Sequence, residues 1–167
     1  MPLNMDCTQA VSLVSGVSVC LTDTDTKVTV FLRGDRVASC RLCFGNRTFA
    51  AAIREHLRRV YGMTVSLTKA KTILHTIGSV YPLSCERGMV IADGSCVIAV
   101  TSEEIRDVLR SFMGETTAAI RRFLRVLSPI KRHEIQRGGL YMEGTVPRGM
   151  ALLLLEEAMG AMECHRF

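Results

Sequence analysis

The residues whose types and spacing could do chemistry gather first between positions 19 and 26, where Val19-Cys20-Leu21 runs into Thr22-Asp23-Thr24-Asp25-Thr26. Two carboxylates two residues apart at the end of an apolar strand are residue types that could act as nucleophile, acid/base or cation ligand. The plain alternative is that two acids in a strand-to-strand turn are solvated turn formers. Cys40 and Cys43 have Cys-x-x-Cys spacing, but in a strand residues three apart face opposite ways, so one metal ion could not easily take both. The cysteines at positions 7, 20, 40, 43, 85, 96 and 164 are odd in number and scattered, which reads as reduced thiols. His56, His75, His133 and His165 lack HxxxH spacing and read as structural or surface residues.

Composition narrows the classes further. A hydrophobic fraction of 48% with 22% charged residues excludes a disordered chain, and 167 residues are enough to bury roughly 70% of the unfolded surface. Apolar runs fall short of the ~20 residues that a membrane span needs. The N-terminal residues have no basic region leading into an apolar stretch, so a secretory signal is not expected and the expected location is the cytoplasm. A net charge of +5 permits an anionic partner, but aromatics are 5% with no Trp. That leaves no base-stacking platform, and nucleic acid is not the expected partner. Arg106, Arg110 and Arg121 follow a helical stripe that could dock an acidic partner or simply face solvent.

The elements that must position these residues follow from periodicity. Residues 17–21, 27–32 and 36–44 are rich in β-branched and apolar types, with a tight turn at Arg33-Gly34-Asp35, and predict an antiparallel meander. Apolar positions recur at helical spacing over 48–61 until Gly62, and again over 66–77 until Gly78 and Pro82. The run MVIADGSCVIAV predicts a hairpin about Asp93-Gly94. Thr101 and Glu104 form a capping-box pattern opening a long amphipathic helix that carries Ile105, Leu109, Phe112, Met113, Ile120 and Leu124. Pro129 is expected to end it. A short strand near 139–142 and a last helix over 152–159 complete the chain.

Three strands, a helix, a helix-and-hairpin unit, a long helix, a strand and a final helix is the element order of the second lobe of actin-like ATPases. The segments GNRTFAAAIREHLRRVYG, KTILHTIGSVYP, VTSEEIRDVLRSF, HEIQRGGLYMEG and LLEEAMG resemble, in order, those of MreB-type bacterial actin-like proteins from about Val17 to Gly160. The resemblance implies an α/β fold, a ribonuclease-H-like mixed sheet with helices, built from 1–45 and 101–167, with a small subdomain of 46–100 inserted in it. It also implies a role in rod-shape determination and the cytoskeleton, ATP and Mg²⁺ as the family's cofactors, and a first lobe that has no counterpart in these residues.

Carried over position by position, the family's glycine-rich phosphate loop falls on Cys20 to Val28, and Thr26 and Val28 alone keep the family's residue. The family's nucleotide contacts thus map to Thr22, Asp23, Thr24, Asp25 and Thr26, to Lys71 and Leu74 on the ribose helix, and to Gly144 and Thr145 in the second glycine loop. Thr resists the positive φ that Gly accepts. Each Asp would repel a phosphate charge by about 4 kcal/mol at roughly 4 Å and an effective dielectric of about 20. The expectation is therefore a chain with no catalytic residues and no ATP hydrolysis, acting through protein contacts: self-association, a full-length MreB, or the membrane-anchored partner RodZ, which the family's second lobe binds. One alternative is a nucleotide-binding filament subunit. The other rests on similarity of 19–26 to the D-x-D motif of haloacid-dehalogenase-like phosphatases, which implies Asp23 as nucleophile and Asp25 as acid/base with Mg²⁺, although Lys27 replaces that motif's Thr or Val and a strand follows at once.

Overall fold

The computed structural model describes residues 14–160 and the backbone of Cys164–His165; Cys7 and the side chains of Cys164 and His165 lie outside the described residues. The meander forms as its β-branched residues predict. Strands β1 (Gly16–Leu21), β2 (Thr26–Leu32) and β3 (Asp35–Leu42) pair antiparallel in sequence. β6 (Leu140–Gly144) lies parallel to β1, with Val17 opposite Leu140 and Leu21 opposite Gly144. A two-residue strand β7 (Cys164–His165) extends the parallel side. The sheet order is β3-β2-β1-β6-β7, so the segments 17–44 and 139–142 share one mixed sheet.

One face of that sheet carries the core. Val17, Val19 and Leu21 alternate along β1 and face Val30, Val28 and Thr26 of β2, and all six are buried. The five apolar ones join one cluster with Phe49, Ile53 and Leu57 of helix α1 (Asn46–Tyr61) and Ile105, Leu109, Met113, Ile120 and Leu124 of helix α3 (Ser102–Arg125). Phe44, Phe49 and Phe112 meet at ring-centroid distances of 5.2–6.0 Å, tying the end of the meander to both helices. Between α1 and α3 stand helix α2 (Leu67–Ile77), capped by the Ser66 hydroxyl, and a separate two-stranded sheet of β4 (Gly88–Asp93) and β5 (Cys96–Thr101), turning at Gly94 and Ser95.

Three expectations are corrected. Pro129 does not terminate the long helix. α3 ends at Arg125, and Pro129 opens a further helix α4 (Pro129–Gly138), where its missing N–H costs nothing. Arg132 of α4 reaches back to the carbonyls of Leu124, Arg125 and Leu127, satisfying the open end of α3 and fixing a sharp corner. The Thr101 capping box is half made: the Thr101 hydroxyl accepts from the Glu104 N–H, but the Glu104 carboxylate bonds elsewhere. The last helix begins two residues earlier than expected, as α5 (Met150–Leu154), and continues as a π-helical turn over Leu155–Met159. Among the described residues no helix is long and apolar enough to cross a membrane.

Candidate functional site

The turn between β1 and β2 is closed by its own first side chain. The Thr22 hydroxyl accepts the backbone N–H of Thr24 (3.2 Å) and of Asp25 (3.0 Å), and its O–H reaches the Asp25 carbonyl at 3.1 Å and Oδ1 at 3.2 Å. The Thr22 N–H donates to the Asp25 carbonyl. The N-terminus of α1 docks on the same turn: the N–H groups of Asn46 and Arg47 donate to the carbonyls of Thr22 (3.0 Å) and Asp23 (2.9 Å). Gly45 permits this approach, since a Cβ there would lie 2.5 Å from the Thr22 carbonyl oxygen. The amides of a tight turn and of a helix start are ready anion donors when left free. Here four of them are spent on the protein itself.

The charges are also matched internally. Lys71 of α2 places Nζ 2.7 Å from Asp23 Oδ1, both side chains being partly exposed. Asp25 faces the other way, toward Arg41 Nε of β3 at 3.7 Å. The two carboxylates are thus drawn to cations on different elements. Thr26 is buried and donates to the Phe44 carbonyl at 2.8 Å, so it holds the end of β3 against the turn. Gly144 sits at φ 84°, and a Cβ there would run into the Leu21 carbonyl. Its glycine is required by the β1–β6 pairing itself.

Of the nine predicted positions, Thr22, Asp23, Lys71, Gly144 and Thr145 line one cleft of about 290 Å³, while Thr24, Asp25, Thr26 and Leu74 do not line it. Sequence reasoning missed three of its walls, Leu21, Asn46 and His75. Asn46 is buried, donates from Nδ2 to the Thr145 carbonyl at 2.7 Å, and leaves Oδ1 without a partner. Its signal was the Gly-Asn pair just ahead of a helical pattern, which marks a helix start where side chain and backbone both reach outward. A second cleft of about 370 Å³, sharing His75 and Gly144, continues past Leu74 and Met142 to Arg148 and Met150. Away from both clefts, His56 Nε2 of α1 lies 2.6 Å from Glu104 Oε1 of α3, and the Tyr61 O–H donates to Glu104 Oε2 at 3.2 Å. Burial first, and the neighbouring carboxylate second, hold the Tyr61 phenol above its ordinary pKa. The carboxylate partner of His56 lay 48 positions away in sequence and gave no local signal.

A five-stranded mixed sheet with a meander on one side, parallel strands on the other, and a helix-and-hairpin unit between its helices defines the class: one lobe of an actin-like fold. The model for the family MreB/Mbl protein matches residues 11–159, and the chain belongs to that family. Solved structures agree on the fold. MreB5 of Spiroplasma citri bound to ADP aligns with a TM-score of 0.78 at 22% identity, over 88% of this chain and 47% of that one. The same protein bound to AMPPNP gives a TM-score of 0.76 at 22% identity over the same shares. A MamK double helical filament gives 0.76 at 12% identity, over 91% of this chain and 49% of that chain. The chain spans about half the length of these structures. Among individual curated proteins none matches.

Proposed function

We propose that this chain is an MreB-like cytoskeletal module that acts through protein contacts and neither hydrolyses ATP nor binds it tightly. The observation that carries the reading is the Thr22 hydroxyl on the amides of Thr24 and Asp25, beside the Lys71–Asp23 ion pair. A triphosphate in this cleft would have to break that turn, displace Asp23 from Lys71 and meet the freed carboxylate. The residues present do not suit the nucleotide that the family's cofactor would supply, and no catalytic step is assigned to them. Each hydrogen bond forgone is worth about 1–3 kcal/mol, and a loss of about 4 kcal/mol moves a micromolar ligand to millimolar.

The protein contacts fall to self-association, to a full-length MreB or to a RodZ-like partner. MamK, with which this chain shares its fold, forms a double helical filament, which favours self-association. The inserted unit is taken as 46–100 and the sheet-bearing unit as 1–45 with 101–167. A second reading, a nucleotide-binding filament subunit, is favoured by one observation: the two clefts joined at His75 and Gly144 persist where the family's nucleotide loops would stand. Phosphate release from ATP with Mg²⁺, measured alongside sedimentation velocity over a range of protein concentrations, tests both halves. The proposal expects no release above a protein-free blank and a sedimentation coefficient that rises with concentration. Steady turnover, or a strict monomer at high concentration, would count against it.

A further inference from the structure

Gly114 stands in the middle of α3, where a glycine weakens a helix relative to alanine. No packing demands it there, because a Cβ at this position would meet nothing within 4 Å. Gly114 lines a cleft of about 330 Å³ that α3 forms with the segment after α2 and with the last helix. The apolar walls of the cleft include Val80 and Met113, both buried, and Leu153 of α5. The walls are tied together: the Val80 N–H donates to the Arg148 carbonyl at 2.9 Å, and the Tyr81 O–H donates to Glu156 in the π-helical turn.

The charges of this cleft stand apart. Arg106 is only 15% exposed and donates from Nη2 to Glu86, but its Nε is buried without a partner. Arg110, one helical turn on, is exposed and paired with Asp107. Glu157 lines the same cleft from the last helix, and among the described residues no ion pair joins it to either arginine. Its carboxylate accepts from the Thr117 hydroxyl at 3.4 Å, while Arg121 donates to its carbonyl and not to its carboxylate. A cation and an anion on different walls of one apolar cleft, unpaired with each other, are the complement of a small zwitterion with an apolar body.

We propose that this cleft binds a free aliphatic α-amino acid, with its carboxylate on the Arg106 guanidinium, its ammonium on Glu157 and its side chain among Val80, Met113 and Leu153. A guanidinium takes a carboxylate through two parallel N–H donors, and Nε of Arg106 is the donor left over. The volume lies at the small end of ligand sites, which suits a molecule of this size. A plain carboxylate would leave Glu157 without a partner, and a plain amine would leave Arg106 Nε without one. Gly114 keeps the wall of α3 low enough for the ligand to lie against it.

Heteronuclear NMR titration of the whole chain with L-leucine, isocaproate and isoamylamine tests this, since the two analogues lack the ammonium and the carboxylate respectively. Leucine is expected to shift the Arg106 Nε–H and the Gly114 amide saturably, and each analogue to bind about tenfold more weakly or worse, as the loss of one charge-assisted hydrogen bond implies. Glu157→Gln should weaken leucine about tenfold and leave isocaproate unchanged. Gly114→Leu should fill the cleft and abolish the shifts, with a urea midpoint at or above the native one because leucine is the better helix former. Absence of saturable shifts with leucine would overturn the proposal. So would isocaproate binding as tightly as leucine, which would make this a simple carboxylate site, or undiminished leucine binding by Gly114→Leu, which would put the ligand elsewhere. Should Gly114→Leu fail to fold, Glu157→Gln decides alone: Glu157 is exposed, and undiminished leucine binding by that variant overturns the proposal.

Discussion

Gly144 is the clearest case in which one residue answers two questions. The resemblance assigns it to the family's second glycine loop, yet the constraint visible here is the Leu21 carbonyl against which it packs at positive φ. Gly144→Ala should therefore destabilise the chain by about 3 kcal/mol, from the left-handed backbone and the forced separation of β1 and β6, with or without nucleotide; chemical denaturation would read this. Cys40 and Cys43 differ in the same local way. Cys40 lies half-buried in β3, and burial raises its thiol pKa above the ordinary value, whereas Cys43 lies exposed just past the strand. A raised thiol pKa means less thiolate at a given alkaline pH. Mass spectrometry of iodoacetamide-treated protein at mildly alkaline pH should find Cys43 alkylated before Cys40.

At the scale of elements, α3 is the member that joins the two sheets' surroundings, and it is held to α1 by both apolar and polar contacts. Leu109→Ala would open a cavity in the fully buried interior at about 2–5 kcal/mol. His56→Ala would remove one partner of the half-buried Glu104 and should cost about 1–3 kcal/mol. Urea midpoints of the two variants separate the packing loss from the polar one. The strands, α1, α2, the hairpin and the start of α3 were legible in sequence because each shows clean periodicity ending at a strong stop such as Gly62 or Gly78. α4 was not, because in PIKRHEIQRG only Ile135 is buried, so no apolar stripe marks it, and its Pro129 reads equally as the end of one helix or the start of the next. The site was half legible. Positions 22, 23, 71, 144 and 145 line one cleft, but the hydrogen bonds that fill the turn depend on rotamers and on the docking of α1, which spacing alone does not carry.

For the whole molecule, membership of the MreB/Mbl family and the actin-like fold rest on the match over residues 11–159 and on the agreement with MreB5 and MamK. The central claim is that this chain keeps the fold while its β1–β2 turn has become self-contained. Isothermal titration calorimetry of the chain with ATP and Mg²⁺ measures that most directly. The account predicts no saturable heat, or a Kd near millimolar, as expected when about 4 kcal/mol of cradle contacts are gone. A Kd in the low micromolar range would contradict it, for it would mean that the turn from Thr22 to Asp25 opens and that Lys71 leaves Asp23 to hold phosphate.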